Sequence, residues 1–325
     1  MTMRMGVIGT GSMGKNHARI YAEMGVLAGI YDVNDKAAKE IADKYGIEHH
    51  SSVESLLKAV DGVSISTPTN THHEMALKSI SYGTNLLIEK PFTGDVNAAA
   101  EICELAEKES LVLSAGMVER FNPVVSEAKK QLDNGRFGEL ITISSRRVSS
   151  MPYRIRDVGV ILDLGIHDVD ALVYLAGSKA KSVYCVGGSF NGNTFEDHAS
   201  IVMVLENGKS AHVEVNWLTP MKVRSVYMTC SKMYATIDYM SQMISTSTSR
   251  FVGNADAPGF GSPWEFDSRE TFLSKEEPLK RELENFMASI KGEARALVSG
   301  WDAVEDLKVC HAALRSMREN RVIEI

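Results

Sequence analysis

Short apolar segments alternate with longer amphipathic segments over the first 120 residues. The short segments predict buried strands, and the amphipathic segments between them predict helices. Strands that alternate with helices are typical of a parallel, doubly wound α/β sheet. The predicted strands cover 5–8, 27–32, 62–65, 86–88 and 111–114, and the predicted helices cover 15–24, 35–45, 53–60 and 96–107. A further helix is predicted to begin near Thr71, whose hydroxyl can cap it.

The pattern changes after residue 120, where one predicted strand follows another with little helix between them. Consecutive strands indicate an antiparallel sheet. Asn207-Gly208 predicts a type I′ hairpin turn, residues 251–275 a long loop, and 279–291 and 301–319 two closing helices. The predicted strands cover 138–148, 181–189, 199–205, 209–217, 223–230, 234–239 and 243–248.

These patterns predict two domains, one over 1–120 and one over 121–325. The first is a doubly wound parallel sheet, and the second is an α+β domain with a large, open, mainly antiparallel sheet. A chain of 325 residues suits two domains. A broad sheet with one face uncovered by helices would need a partner, so we expect a homodimer or a homotetramer.

Charge and cysteine usage exclude several classes of partner. The net charge of −7 argues against nucleic acid and against an anionic membrane surface. No apolar run approaches the roughly 18 residues that a membrane span needs, and because residues 1–4 lead directly into a predicted strand, we expect no signal peptide. The four cysteines are far apart, so we expect neither a disulfide framework nor a zinc site, and a cytoplasmic location.

A glycine-rich turn follows the first predicted strand: Gly9-Thr10-Gly11-Ser12-Met13-Gly14. Glycine at the first position allows a tight turn, at the second a close approach to a pyrophosphate, and at the third close packing of helix on strand. The second strand ends at Asp32, where a ribose-binding carboxylate is expected. A carboxylate repels the extra phosphate of NADP, and 33–35 contain no arginine, so NAD is the predicted cofactor and NADP is less favoured.

Lys90 follows a short apolar strand and precedes Pro91. Ligands of an open parallel sheet lie outside the carboxyl ends of its strands, and proline stiffens the turn that presents the amine. Our hypothesis is that Lys90 contacts the carbon–oxygen group that is oxidised or reduced. The alternative is a solvated loop lysine. Thr67 and Pro68 end another strand and are expected to line the nicotinamide–ribose side of the same crevice.

Three further segments carry candidate chemistry. His72-His73-Glu74 could suggest a metal, but adjacent histidines on a helix point to different sides, and no metal is predicted. If 161–170 is helical, Asp163 and His167 share a face and the carboxylate can orient the imidazole; a structural, partly buried histidine is the alternative. The arginines at 146, 147, 154 and 156 could bind a diphosphate or could face solvent.

These motifs together resemble the glucose–fructose oxidoreductase / inositol dehydrogenase (Gfo/Idh/MocA) family of NAD(P)-dependent sugar oxidoreductases. The resemblance is carried by the glycine turn, Thr67-Pro68 with His72, Glu89-Lys90-Pro91, and 163–170. It implies a Rossmann domain, a second domain whose open sheet mediates oligomerisation, and cofactor contacts that include His72, Glu89 and Lys90. It also implies a catalytic set of Lys90, Asp163 and His167, with His167 as proton acceptor, and a cis Lys90–Pro91 bond.

The segment 118–123 resembles that of family members acting on UDP-N-acetylhexosamines, notably UDP-N-acetylglucosamine 3-dehydrogenases. Arg120, Asn122, Arg154 and Arg156 are therefore the expected substrate-binding residues. The expected activity is hydride transfer between nicotinamide and a ring carbon of a sugar, with a nucleotide sugar favoured. Residues 157–160 depart from the glycine-rich lead of many members, which leaves inositol or a free aldose as an alternative substrate. A non-catalytic NAD-binding regulator is the alternative from another class.

Overall fold

The computed structural model describes residues 3–151, 158–192, 194–252 and 264–325. The chain forms two compact units. The first contains the residues up to Phe121 together with Glu277–Lys308, and the second contains Asn122–Glu276 and Val309–Ile325. The expected division at 120/121 treated each half as continuous, whereas the chain returns to the first unit near its end. No helix in the described parts combines the length and the apolar character that crossing a membrane requires.

The first unit contains a six-stranded, all-parallel sheet in the order β3-β2-β1-β4-β5-β6. This is the doubly wound arrangement expected from the alternating pattern. Its strands are β1 (Met5–Ile8), β2 (Leu27–Tyr31), β3 (Glu48–His49), β4 (Gly62–Ile65), β5 (Asn85–Glu89) and β6 (Leu113–Gly116). Its helices are α1 (Ser12–Glu23), α2 (Asp35–Tyr45), α3 (Val53–Leu57), α4 (Thr69–Ser81) and α5 (Val96–Lys108), followed by a 3₁₀ turn at Val118–Phe121.

A helix from the returning segment completes the core of the first unit. This helix, α8 (Pro278–Ile290), begins with proline, which suits the first helical position because that residue needs no N–H partner. Its apolar side chains Leu279, Leu283 and Phe286 are buried against β1, α1 and β2. The periodicity predicted the helix, but only the fold shows that it packs on residues about 270 positions earlier in the chain.

The second unit contains a nine-stranded sheet in the order β14-β13-β12-β11-β7-β10-β9-β8-β15. It is antiparallel except where β10 pairs with β7 in parallel. Its strands are β7 (Leu140–Ser150), β8 (Ala180–Gly188), β9 (His198–Leu205), β10 (Ser210–Asn216), β11 (Leu218–Cys230), β12 (Tyr234–Asp238), β13 (Met243–Phe251), β14 (Trp264–Phe272) and β15 (Ile323–Glu324). Its helices are α6 (Pro123–Asp133) and α7 (Ile166–Ala176), and α9 (Gly300–Glu319) begins in the first unit and ends in the second.

Three local predictions were wrong. Residues 264–272, expected to lie in a long loop, form β14, which pairs with β13 along its whole length. The hairpin turn has positive φ at Gly208 (79°) but not at Asn207, so it is not type I′. Helix α4 begins after Pro68, and the Thr71 hydroxyl donates backwards to the Pro68 carbonyl instead of capping the helix.

Neighbouring arginines on β7 have opposite environments, because successive side chains of a strand point to opposite faces. Arg147 is 2% exposed, and its Nε and Nη2 donate to the two carboxylate oxygens of Asp168 at 2.7 and 3.3 Å. Its guanidinium also lies 5.2 Å from the centre of the Tyr239 ring. Arg146 is exposed and pairs with Glu214 at 3.0 Å. The strand therefore separates two members of the arginine cluster, and Arg147 fixes Asp168.

We expect Arg147→Met to lower the free energy of unfolding by about 3–5 kcal/mol, because it leaves the Asp168 carboxylate buried without its guanidinium. Arg146→Met is the matched control, and it should cost about 0–1 kcal/mol because its ion pair is exposed. Urea unfolding of both variants and the parent at one pH measures the difference. Equal losses in the two variants would contradict the structural role of the Arg147–Asp168 pair.

Candidate active site

The candidate residues fall into two groups, one in each unit. The glycine turn, Asp32, Thr67-Pro68, His72 and Glu89-Lys90-Pro91 belong to the first unit. Asp163 and His167 belong to the second.

The glycine turn joins β1 to α1 with the geometry that a dinucleotide site requires. Gly9 has a φ of 91°, and a Cβ on Gly14 would lie 1.9 Å from the Gly9 carbonyl oxygen, so both positions need glycine. A Cβ on Gly11 would meet no described atom within 4 Å, which leaves space for a ligand to approach the backbone. Gly11 precedes α1 and has no side chain that could accept hydrogen bonds from the first N–H groups of the helix. These N–H groups can therefore bind a pyrophosphate.

A cavity of about 660 Å³ opens beside this turn. It is lined by the turn itself, by Asp32 at the end of β2, and by the residues after β4. The lining side chains include Tyr31, Val33, Thr67, Pro68, Thr71 and Met75. Its position at the carboxyl ends of parallel strands is where ligands of such sheets bind. The residues present therefore fit a dinucleotide.

The Asp32 carboxylate is held in place by Thr10 and Asn34. One oxygen accepts the Thr10 N–H at 2.5 Å and the Thr10 hydroxyl at 2.7 Å, and the other accepts the Asn34 N–H at 2.8 Å. A carboxylate fixed in this way has lone pairs left for ribose hydroxyls. Lys78, which also lines the cavity, is paired with Glu54 at 2.7 Å.

The turn that carries Lys90 is built from buried hydrogen bonds. Glu89 ends β5 and is 6% exposed; one carboxylate oxygen accepts from His17 Nε2 at 2.8 Å, and the other accepts the Lys90 N–H at 3.2 Å. The Lys90–Pro91 bond is cis, which confirms what the family resemblance implied. Sequence reasoning missed His17. Its signal was its place on the buried face of α1, one turn after Gly14.

His72 lies behind this turn and not in the cavity wall. Its ring is 1% exposed, with Nε2 2.9 Å from the Thr67 carbonyl and Nδ1 3.0 and 3.2 Å from the carbonyls of Pro91 and Phe92. Burial lowers the pKa of His72, and the three carbonyls act in the opposite direction. The imidazole joins the loop after β4 to the Lys90 turn, and the expected contact of His72 with the cofactor stays a prediction.

The second group, Asp163 and His167, lies at the start of α7 and in the segment just before it. Residues Ile161–Gly165 form a π-helical segment, in which the Ile166 N–H reaches the carbonyl of Ile161, and α7 follows directly. Asp163 lies in the π segment and is 8% exposed, while the half-buried His167 is the second residue of α7. The predicted helix is present, but its first turn is wider than an α-helical turn. Such segments occur frequently at functional sites.

The expected substrate-binding residues have structural partners. Arg120 is 5% exposed, and its guanidinium donates to the Leu297 carbonyl and to Asp302, each at 3.2 Å. Asn122 is 3% exposed and accepts the Val124 N–H at the start of α6. These contacts hold Arg120 and Asn122 inside their own units, and their binding to substrate stays a prediction. Arg154 and Arg156 lie outside the described residues.

Comparison with known proteins agrees with this geometry. Residues 3–117 match the model of an oxidoreductase family with an NAD-binding Rossmann fold, and residues 125–236 match the GFO/IDH/MocA C-terminal domain. The chain is 32% identical over 313 residues to UDP-N-acetylglucosamine 3-dehydrogenase of Acidithiobacillus ferrooxidans, covering 96% of each chain. It is 27% identical to inositol 2-dehydrogenase of Rhizobium meliloti over the full length of both.

A solved structure of the Acidithiobacillus ferrooxidans enzyme superimposes with a TM-score of 0.87 at 28% identity, covering 98% of this chain and 99% of the other. The two family models together match more than half of the chain, on both sides of the boundary near residue 121. The glycine turn, the cis Lys90–Pro91 bond and the helix of Asp163 and His167 lie within the matched residues. The chain belongs to the GFO/IDH/MocA family of NAD-binding oxidoreductases.

Proposed function

We propose that this protein is an NAD-dependent dehydrogenase that oxidises a ring hydroxyl of a nucleotide sugar such as UDP-N-acetylglucosamine. The observation that carries the proposal is the Glu89-Lys90-Pro91 turn. It presents an amine from a rigid, buried set of hydrogen bonds at the carboxyl end of β5. The near full-length similarity to a UDP-N-acetylglucosamine 3-dehydrogenase supports the choice of substrate.

The cofactor is held by the residues of the first unit. Gly11 and the start of α1 receive the pyrophosphate, Asp32 accepts hydrogen bonds from the adenosine ribose, and Thr67 and Pro68 flank the nicotinamide ribose. When bound, NAD supplies the hydride acceptor, and the protein supplies position and charge. Asp32 repels the additional phosphate of NADP, and the pairing of Lys78 with Glu54 removes a cation that could attract it.

Lys90 and His167 have different roles in the reaction of the substrate hydroxyl. His167 takes the hydroxyl proton as the carbon loses hydride, a role for which neutral imidazole is the competent form. The Lys90 ammonium stabilises the alkoxide that develops and, in the reverse direction, polarises the carbonyl. Asp163 orients these groups or binds a neighbouring hydroxyl. Glu89 and His72 act behind Lys90 by fixing the backbone from which it projects.

Two alternatives have weaker support. Inositol or a free aldose as substrate is favoured by the 27% identity to an inositol 2-dehydrogenase. A regulator that binds NAD without turnover would be expected to have lost the catalytic side chains, whereas this chain has retained Lys90 and His167.

We also propose that the protein forms a homodimer or a homotetramer. The support is one face of the nine-stranded sheet, on which β9 exposes every second residue. The exposed apolar side chains on this strand are Val202 (37%) and Val204 (43%). Apolar side chains on a broad sheet face suit burial against a second subunit.

Nicotinamide reduction at 340 nm, measured with a panel of substrates, tests the function. We expect the catalytic efficiency for UDP-N-acetylglucosamine to exceed that for inositol and free N-acetylglucosamine by at least about 10-fold, or about 1.4 kcal/mol of discrimination. N-acetylglucosamine 1-phosphate separates the contribution of the sugar phosphate from that of the nucleotide. A higher efficiency with inositol would refute the nucleotide-sugar assignment, and no reduction with any sugar would favour the regulator.

Substitutions of the two proposed catalytic side chains test their roles. Lys90→Met should lower turnover by about 10²-fold or more through loss of electrostatic stabilisation, and His167→Asn by about 10²–10⁴-fold through loss of the base. The affinity for NAD, measured by calorimetry, should change little in either variant. Lys108→Met, an exposed substitution at the end of α5, is the matched control. Normal turnover in Lys90→Met would contradict a catalytic role for Lys90.

Cofactor preference tests the role of Asp32. The catalytic efficiency with NAD should exceed that with NADP by at least about 10-fold, which corresponds to about 1.4 kcal/mol. Asp32→Ala should narrow this ratio, because it removes both the ribose acceptor and the repulsion of the 2′-phosphate. A preference of the parent enzyme for NADP would contradict the assignment.

A further inference from the structure

The helix that carries Asp163 and His167 begins against a buried carboxylate from a later part of the second unit. Glu196 is 8% exposed. Its Oε1 accepts the Ile161 N–H at 3.0 Å, and its own carbonyl accepts the Val160 N–H at 3.0 Å. The first N–H groups of a helix have no partner within the helix, so one residue satisfies two of them here. A negative charge at this end also suits the helix dipole.

Gly159 is shaped to receive this carboxylate. A Cβ at position 159 would lie 2.1 Å from the carboxyl carbon and from both oxygens of Glu196, so no other residue fits without displacing it. The carbonyl of Gly159 in turn accepts the Asp163 N–H at 3.0 Å. The contact therefore continues from the Glu196 carboxylate through Gly159 to the backbone of Asp163. The contact with Glu196 also explains why position 159 is a glycine.

Glu196 is itself held firmly by its neighbour. The Asp197 carboxylate accepts the N–H groups of Phe190 and Asn191 at 2.9–3.0 Å and lies 2.9 Å from His198 Nδ1. The backbone N–H of Asp197 donates to the Gly188 carbonyl at 2.9 Å. These bonds fix the segment at the start of β9, so the carboxylate of Glu196 approaches the helix from a rigid support.

The π-helical segment makes the position of the helix start important. Asp163 lies inside this segment, between the end that Glu196 holds and the regular turns that carry His167. A π turn contains more residues than an α turn, so exchange of one for the other changes the angular offset between residues on either side of it. Loss of the contact at Ile161 would allow that exchange and would turn Asp163 relative to His167.

We propose that Glu196, with Gly159, is a positioning residue that holds the helix start and thereby sets the orientation of Asp163 relative to His167. The inference rests on the proposed function, because it assumes that Asp163 and His167 act on substrate. Glu196 needs no contact with substrate or cofactor for this role.

The charge of Glu196 makes a specific test available. Burial raises the pKa of the Glu196 carboxyl, and the adjacent Asp197 adds to the effect. The Cys185 thiol also faces Glu196, and burial raises the pKa of that thiol to about 12, so it stays neutral. When a carboxyl has a higher pKa in the folded state than in the unfolded state, the folded protein loses stability as the pH rises from the lower pKa through the higher one. The substitution Glu196→Gln keeps an oxygen that accepts the Ile161 N–H, and it avoids this loss of stability because the amide does not ionise.

Steady-state kinetics of Glu196→Ala and Glu196→Gln test the inference. Glu196→Ala should lower kcat by about 10²-fold, as small misplacements of catalytic groups do, with an unchanged KM for NAD. Glu196→Gln should restore kcat to near the parent value, and its melting temperature should exceed that of the parent by more at pH 8 than at pH 5. Normal kcat in a folded Glu196→Ala, or a kcat in Glu196→Gln as low as in Glu196→Ala, would overturn the inference.

Gly159→Ala keeps the inference testable if Glu196→Ala does not fold. Its Cβ should displace the carboxylate and lower kcat to a similar extent, and hydrogen exchange should be faster at the amides of 160–166. Normal kcat and exchange in Gly159→Ala would overturn the inference. Normal turnover in His167→Asn would instead overturn the proposed function, so the two failures are distinguishable.

Discussion

Buried hydrogen bonds at the ends of strands and helices hold both groups of candidate functional residues. In the first unit, the 2.8 Å contact between His17 and Glu89 fixes a carboxylate that in turn accepts the Lys90 N–H. His72 joins the same turn to the loop after β4. Element ends leave backbone groups without partners, and a buried side chain that satisfies them also fixes the direction of the turn. The Lys90 amine is therefore presented from a rigid backbone.

In the second unit, buried side chains likewise hold the candidate functional residues in place. Asp168 is held by Arg147, and Glu196 holds the start of the helix that carries Asp163 and His167. Asp168 is paired with a guanidinium and Glu196 accepts a backbone N–H, as expected because a carboxylate removed from water is costly unless it is paired or hydrogen-bonded. Arg147 thus fixes Asp168, the residue after His167, and Glu196 fixes the backbone before Asp163.

Local patterns predicted most of the elements, and long-range pairing explains the errors. Helix α2 and the strands around Gly208 follow from periodicity and turn residues, which act over a few positions. The loop predicted over 251–275 follows from its Gly, Pro, Ser and Asp content and lack of a clear period, whereas β14 within it is a strand through its pairing with β13. The parallel pairing of β7 with β10 and the return of α8 to the first unit are likewise invisible in a local pattern.

The sequence by itself determined the glycine turn, Asp32 at the end of β2 and the Lys90–Pro91 turn, because these motifs depend on neighbouring residues within one strand–turn–helix unit. The tertiary structure decided which polar residues support them. Arg120, Asn122 and His72 are each buried with hydrogen-bond partners up to about 180 positions away, which their motifs did not reveal. Burial and pairing depend on the packing of distant segments, so the structural roles of His17, Arg147 and Glu196 emerged only from the folded chain.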